Sequence, residues 1–290
     1  MFKEKLIENF FLVIAFSSIF VLFLISIFLF IEGLPIFSKV GLFDFIFGMH
    51  WYPTHDIDPE YGIFPIIIGS VGVTLLATII AVPISISIAI YMSEVTKPAI
   101  REVVKPMIEI IASLPSVVIG FFGLVVIAPN LITFFNLDSG NNMFNASLML
   151  AFMAVPTMAS IAEDAISSVP RALKEASYAL GASKWQTIYH ITIPAALSGI
   201  WTAIMLGISR ILGETMVVLM VAGGAAMIPD SIFSSVRPLT STIALEMGEV
   251  VHGGKHYQAL FAMGIILFII TFVFNIIADY LSTKYKFENE

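Results

Sequence analysis

Arg210 and Glu214 are the only charged residues between Ala195 and Gly223 in this chain of 290 residues. On insertion scales an Arg at the centre of a membrane helix costs roughly 2.5–3.5 kcal/mol, so it must face a bundle interior or a watered cavity. In a continuous helix Glu214 lies one turn further on the same face, close enough to pair with it. The spacing therefore predicts an ion pair, either a structural pin between helices or part of a polar path. Other chemistries fall away. His252 and His256 have i,i+4 spacing, but Gly253-Gly254 between them argues against a helix presenting both to zinc. A phosphate-cradling Gly-x4-Gly-Lys-Ser/Thr loop fails at Gly254-Lys255, where Glu249 holds the first glycine position and His256 follows the lysine. The chain has no Cys, which removes disulfides, thiolate zinc sites and thiol nucleophiles. No Ser-His-Asp or His-Glu-x-x-His arrangement can be placed, and Asn145-Ala146-Ser147 matches a glycosylation sequon by chance.

The elements that hold these residues must cross a membrane. Charged residues make up 12 % of the chain, about half of the roughly 25 % usual in soluble domains. With 14 Lys and Arg against 21 Asp and Glu the net charge is −7, which excludes a nucleic-acid binder and its basic surface. A bilayer core of roughly 30 Å needs about 20 apolar residues per helix. Six segments qualify: Phe10 to Ile31, Gly62 to Met92, Ile110 to Phe135, Ala146 to Ala162, Ala195 to Gly223 and Ala259 to Ala278. The first reads as a span and not as a secretory signal, being too long for an h-region and lacking an A-x-A site after it. The chain is thus expected to be an all-α integral membrane protein with six transmembrane helices.

Basic residues set the orientation, because cytoplasmic loops hold the excess of Lys and Arg. Lys3, Lys5, Lys97, Arg101, Lys105, Arg171, Lys174, Lys184, Lys284 and Lys286 fall on one side, and only Lys39, Arg237 and Lys255 on the other. Both termini are therefore expected in the cytoplasm. The outer loops carry Glu32, Asp44, Asp56, Asp58, Glu60, Asp138, Asp230, Glu246 and Glu249, either as a solvated surface or as a docking face. Pro65, Pro83, Pro115, Pro129 and Pro156 lie in or beside spans, where neighbouring helices must satisfy the carbonyls they free. Gly69 with Gly72, Gly120 with Gly123 and Gly199 with Gly207 permit close helix packing.

One cytoplasmic loop, 163–194, has the composition of a folded knob. Pro170 suits the first position of a helix over Arg171 to Leu180. Gly181 ends that run, and Ser183 can cap a second short helix, Lys184 to Ile191, before Pro194.

The run EASYALGASKWQTIYHITIP resembles the loop that defines permease subunits of ABC-type importers. Glu175-Ala176-Ser177 stands for its Glu-Ala-Ala start, Gly181 for its glycine, and Ile191-Thr192-Ile193-Pro194 for its end, with Ser177 and Ile193 as conservative departures. IEIIASLPSVVIGFFG, ISRILGETMVVLMVAGG and LTSTIALEMGEV are similar to phosphate-specific permeases, of the PstC type more than its partner PstA. Gly223-Gly224 departs from the Gly-Asn usual there.

The resemblance implies a type I, MetI-like permease bundle with N-in and C-in topology in the bacterial cytoplasmic (inner) membrane, multi-pass and not an enzyme. It implies a division into an N-terminal helix and outer loop (1–61), a permease core (62–282) with coupling loop 163–194, and a tail (283–290). It implies import of inorganic phosphate by alternating access, with molybdate or sulfate as alternative oxyanions; a stand-alone secondary transporter using Glu214 as a proton-handling group is a further alternative. Arg210, Glu214 and Thr215 are then substrate-path residues, and Glu175, Ala176, Leu180, Gly181 and Ala182 contact the ATPase. No cofactor is expected in this chain; ATP and Mg would be held by a PstB-type ATPase dimer. A PstA-type second permease, a PstS-type phosphate-binding protein and the lipid bilayer complete the expected partners.

Overall fold

The computed structural model describes residues 2–55 and 57–284; Asp56, Lys286 and the rest of the tail from 285 lie outside them. α1 (Phe2–Gly33), α2 (Pro35–Val40) and α3 (Leu42–Phe47) lead into a hairpin of β1 (Trp51–Tyr52) and β2 (Glu60–Tyr61). α4 (Phe64–Ile90), α5 (Pro98–Ala112), α6 (Ser116–Phe122), α7 (Ala128–Phe135) and α8 (Met143–Ser167) follow. Then come α9 (Arg171–Ala179), α10 (Lys184–Thr187), α11 (Ile193–Ala195), α12 (Leu197–Leu212), α13 (Met216–Val221), α14 (Leu239–Glu246) and α15 (Lys255–Lys284). Single π-helical turns at Tyr91–Val95, Gly123–Ile127 and Ile188–Thr192 join neighbouring helices.

Among the described residues five helical runs are long and apolar enough to span a membrane: Ile7–Val40, Phe64–Val95, Ser116–Phe135, Met143–Ser167 and Lys255–Tyr280. The sixth is broken: Lys184–Ala195 and Leu197–Leu212 meet at 69°. The six-span reading stands, with two of its boundaries corrected. The third span starts at Ser116 and not at Ile110, because Leu114 precedes Pro115 and is pushed out of the helical region. The fifth ends its first helix at Leu212 and restarts at Met216.

The chain forms two compact units. In the first (Met1–Phe64 and Ile243–Phe268), α1 lies against the start of α15. A Cβ on Gly33 would stand 2.9 Å from the Ala262 nitrogen, so only glycine allows that approach. The Phe28 and Phe261 rings meet edge to face at 5.5 Å. β1 pairs antiparallel with β2, Trp51 opposite Tyr61, and the buried Trp51 indole donates to both Glu246 carboxylate oxygens at 3.1 Å. His256 Nε2 meets the same carboxylate at 2.8 Å, while the His252 ring rests on Tyr257. Among the described residues no cluster of three metal-ligating side chains forms.

The second unit (Pro65–Thr242 and Ile269–Glu290) is built around α8. Met149, Leu150, Met153, Ala154 and Met158 of that helix are buried with Val73, Ala77 and Ala81 of α4, Ile119 of α6 and Val217, Val218 and Val221 of α13. The small residues act as the sequence predicts. Gly199 and Gly207 of α12 lie where a Cβ would strike Ala165 and Met158 of α8. Gly120 and Gly123 take the same role against α13 and α8. The Asn142 side chain caps α8 by accepting from the Asn145 nitrogen at 2.9 Å. Asn145 Nδ2 then donates to the carbonyls of Gly123 and Gly140, at 3.1 and 2.9 Å.

Candidate functional site

Arg210 sits in the last turn of α12, half-buried, with its guanidinium between α5 and α8. One terminal nitrogen donates to Thr157 Oγ1 at 2.8 Å and the other to the Ala112 carbonyl at 3.1 Å. Ala112 ends α5, so the cation lies at a helix C-terminus, where free carbonyls and the helix dipole favour positive charge. An Arg carries five N–H donors. Among the described residues no carboxylate pairs with this one.

The expected Arg210–Glu214 ion pair is absent. The helix that would have placed the two on one face stops at Leu212, with Gly213 as its C-cap. Glu214 turns instead to the next helix. Its Oε1 accepts from the backbone nitrogens of Met216 and Val217 at 3.0 and 3.3 Å, satisfying the start of α13. Thr240, near the start of α14, donates its hydroxyl to the Glu214 carbonyl at 2.8 Å. Thr215 hydrogen-bonds weakly to the Gly213 carbonyl at 3.4 Å. Ser70 and Thr74 of α4, Glu214 and Thr240 line a cavity of ≈ 10 Å³, about the room needed for one water and too small for a tetrahedral oxyanion. Of the predicted substrate-path residues, Glu214 and Thr215 share the helix break, and Arg210 stands one turn before it, facing other helices.

The cytoplasmic loop folds much as the sequence predicts. α8 carries on to Ser167, so the stretch outside it begins at Ser168. Pro170 is the residue before α9 and not its first helical residue. Gly181 turns the chain at φ +83°, a conformation L side chains rarely adopt. Ser183 and Gln186 form a reciprocal capping box on α10, which continues through a π-turn into α11. Glu175, Ala176, Leu180 and Gly181 are exposed, Leu180 at 90 %, and Ala182 is half-buried. An apolar side chain held that far out offers a partner a knob to seat.

The sequence reading counted Arg101, Lys105 and Lys174 only for topology and took Glu163 for the start of the loop. The structure gives all four partners. Glu163, 2 % exposed near the end of α8, is bracketed by Arg101 and Lys105 of α5. Lys105 also reaches Asp164. Burial pushes the Lys105 pKa down, yet hydrogen bonds to Asp164 and Glu163 and their charges leave it raised above its ordinary value. Lys174 of α9 reaches Glu94 in the π-turn after α4 at 2.5 Å. The i,i+4 spacing of Arg101 and Lys105, which shares one helix face, was the signal available for the first of these clusters.

Comparison with known proteins shows the family. The sequence model of a family described as "Binding-protein-dependent transport system inner membrane component" matches residues 81–287. A probable ABC transporter permease protein, YqgH of Bacillus subtilis, is 39 % identical over 264 residues, covering 90 % of this chain and 85 % of the relative. The phosphate transport system permease protein PstC of Pasteurella multocida is 36 % identical over 82 % of this chain and 78 % of its own. PstC of Haemophilus influenzae is 31 % identical over 91 % and 90 %. Among solved structures, the bacterial alginate ABC transporter aligns at TM-score 0.65 and 18 % identity over 97 % of this chain and 96 % of that one. An inward-facing MetNI methionine ABC transporter aligns at TM-score 0.60 and 17 % identity over 76 % and 94 %. These two show the fold alone. The family implies a separate ATPase and a separate substrate-binding protein as partners, and a stand-alone transporter is set aside. The chain belongs to the binding-protein-dependent transport system inner membrane component family and is a multi-pass permease subunit of an ABC importer, not itself an enzyme.

Proposed function

We propose that the chain is the PstC-type subunit of an importer that moves inorganic phosphate into the cytoplasm by alternating access. The identity with PstC proteins over most of the chain supports phosphate over molybdate or sulfate. The observation that carries the reading is Arg210, a guanidinium inside the bundle with no carboxylate partner among the described residues. Its remaining donors suit charge-assisted hydrogen bonds to a tetrahedral oxyanion in transit. Thr157 and the end of α5 hold it in place. Glu214 secures the helix break and lines the small cavity beside it, so its carboxylate does not quench the arginine. With ≈ 10 Å³ of room there, the conformation described is closed to an anion at that level, and transport requires it to open.

In this reading a PstB-type ATPase dimer binds ATP and Mg and closes on them, and the exposed loop around Leu180 and Gly181 carries that motion to a bundle shared with a PstA-type permease. A PstS-type protein delivers phosphate from outside. Reconstituted with its co-purifying partners, the complex should hydrolyse ATP faster with phosphate-loaded binding protein than with sulfate or molybdate. Stimulation by another oxyanion and not by phosphate overturns the substrate. The topology is tested in the same preparation: a single Cys at Ser139 should react with an impermeant thiol reagent from outside, and one at Ser183 should not. Both positions are exposed, so reversed labelling overturns the orientation.

A further inference from the structure

α9 makes little apolar contact with the body of the protein. None of its residues is buried, and only Lys174 and Ser177, three apart on one face, are half-buried. Leu173, Tyr178 and, just past the helix end, Leu180 point outward at 41, 44 and 90 % exposure. Ser177 bonds Thr187, 2.9 Å away and inside the same loop. Lys174 reaches beyond it, to Glu94. Among the described residues this is the one side-chain hydrogen bond or ion pair that α9 makes outside the loop. Both side chains are largely removed from water, 18 % and 8 % exposed. A pair so placed is screened far less than a surface one, and a single replacement strands a charge.

Glu94 lies in the π-turn Tyr91–Val95 that follows α4. Ser70, near the other end of that helix, accepts from the Leu239 nitrogen at 2.7 Å, next to the bond from Thr240 to Glu214. Ser70 and Thr74 line the cavity beside Glu214. From Glu94 to Ser70 a helix rises about 36 Å. α4 runs from Phe64 to Ile90 as one helix; Pro83 lacks the N–H for one of its backbone bonds, and the rest of the ladder keeps the helix stiff along its axis.

We propose that Lys174 and Glu94 form the joint through which the coupling loop moves α4, and that α4 carries the motion to the cavity at Glu214. The proposal rests on the reading of 163–194 as the ATPase-contacting loop and deepens it by naming the joint and the rod. Lys174 is a positioning residue here, since it touches neither anion nor nucleotide. Because the helix ends in a π-turn, with one residue more per turn than the α-helix before it, a pull at Glu94 has a place to be taken up or released.

The natural chain has no Cys, so single thiols report cleanly. A Cys at Ser70, in the complex with its ATPase, should change its rate of thiol labelling when ATP and Mg are added. Lys174→Met should lose that change. Lys174→Met with Glu94→Gln, which leaves no stranded charge, should lose it as well, at unaltered membrane abundance. Lys174→Glu with Glu94→Lys, which restores the pair with its charges exchanged and leaves Ser70→Cys the single thiol of the chain, should regain the change. An ATP-dependent change of wild-type size in the double neutral variant overturns the proposal. So does the absence of any change at Ser70 in the otherwise unaltered chain. This readout does not depend on which anion is carried, so failure of the phosphate reading, seen as missing stimulation by phosphate-loaded binding protein, is separately visible.

Discussion

The chain interrupts its helices at Gly213 and turns sharply at Gly181, and the two places are secured differently. Around Gly213 the break is stitched by side chains. Glu214 accepts from two backbone nitrogens, Thr240 holds the Glu214 carbonyl, and Arg210, one turn earlier, satisfies the end of α5. Around Gly181 the geometry rests on the backbone alone, with φ at +83° and nothing within 4 Å of where a Cβ would stand. The first site depends on which groups surround it, and the second on which residue can hold the turn. The half-exposed break depends on the sign of each charge set against a helix end; the exposed turn tolerates any residue able to enter the left-handed region.

The largest effect expected from this contrast is the exchange Arg210→Glu with Glu214→Arg. A structural ion pair would survive the swap. Here each new charge meets the wrong end of a helix, the glutamate facing the Ala112 carbonyl and the arginine the free nitrogens of Met216 and Val217. Phosphate uptake should be abolished and the subunit's thermal stability lowered. Restored uptake would show that the two residues pair during transport.

Gly181→Val comes next. The β-branched side chain has space but not the backbone conformation, at a cost on the order of 1–3 kcal/mol. The subunit should assemble at wild-type abundance, with ATP hydrolysis no longer stimulated by loaded binding protein. Gly181→Asn sharpens the point, because Asn enters the left-handed region readily; it should keep most of the stimulation. Equal damage from both would mean that a partner packs against this position.

The smallest of the three is Thr240→Val. It keeps the shape and removes the donor to the Glu214 carbonyl, which should cost about 1–3 kcal/mol if that carbonyl is left buried and unpaired. A fall of a few degrees in the melting temperature of the purified complex, with uptake reduced but present, is the expected result. No shift at all would mean that water replaces the hydroxyl.

These regions were unequally legible in the sequence. Spans free of charge are read by length and hydropathy alone, and the cytoplasmic loop carries its own punctuation in Pro170, Gly181 and Ser183. The Arg210–Glu214 geometry was misread because i,i+4 reasoning assumes an unbroken helix. Gly213 followed by Glu and Thr is a stop and a restart, a signal overridden by the apolar run around it. The start of the third span was misplaced for a similar reason, since apolar composition runs on through Leu114-Pro115 while the backbone does not. Ion pairs such as Glu163 with Arg101 and Lys174 with Glu94 join residues 62 and 80 positions apart. No local pattern could have matched those partners.

In the proposed phosphate path Arg210 serves the anion and does more than hold helices together. Arg210→Gln tests it most directly, because Gln keeps a polar amide donor in the bundle while losing the charge. In vesicles containing the reconstituted complex, uptake of labelled phosphate should disappear while assembly and basal ATP hydrolysis stay close to wild type. Uptake at the wild-type rate in that variant would contradict the account.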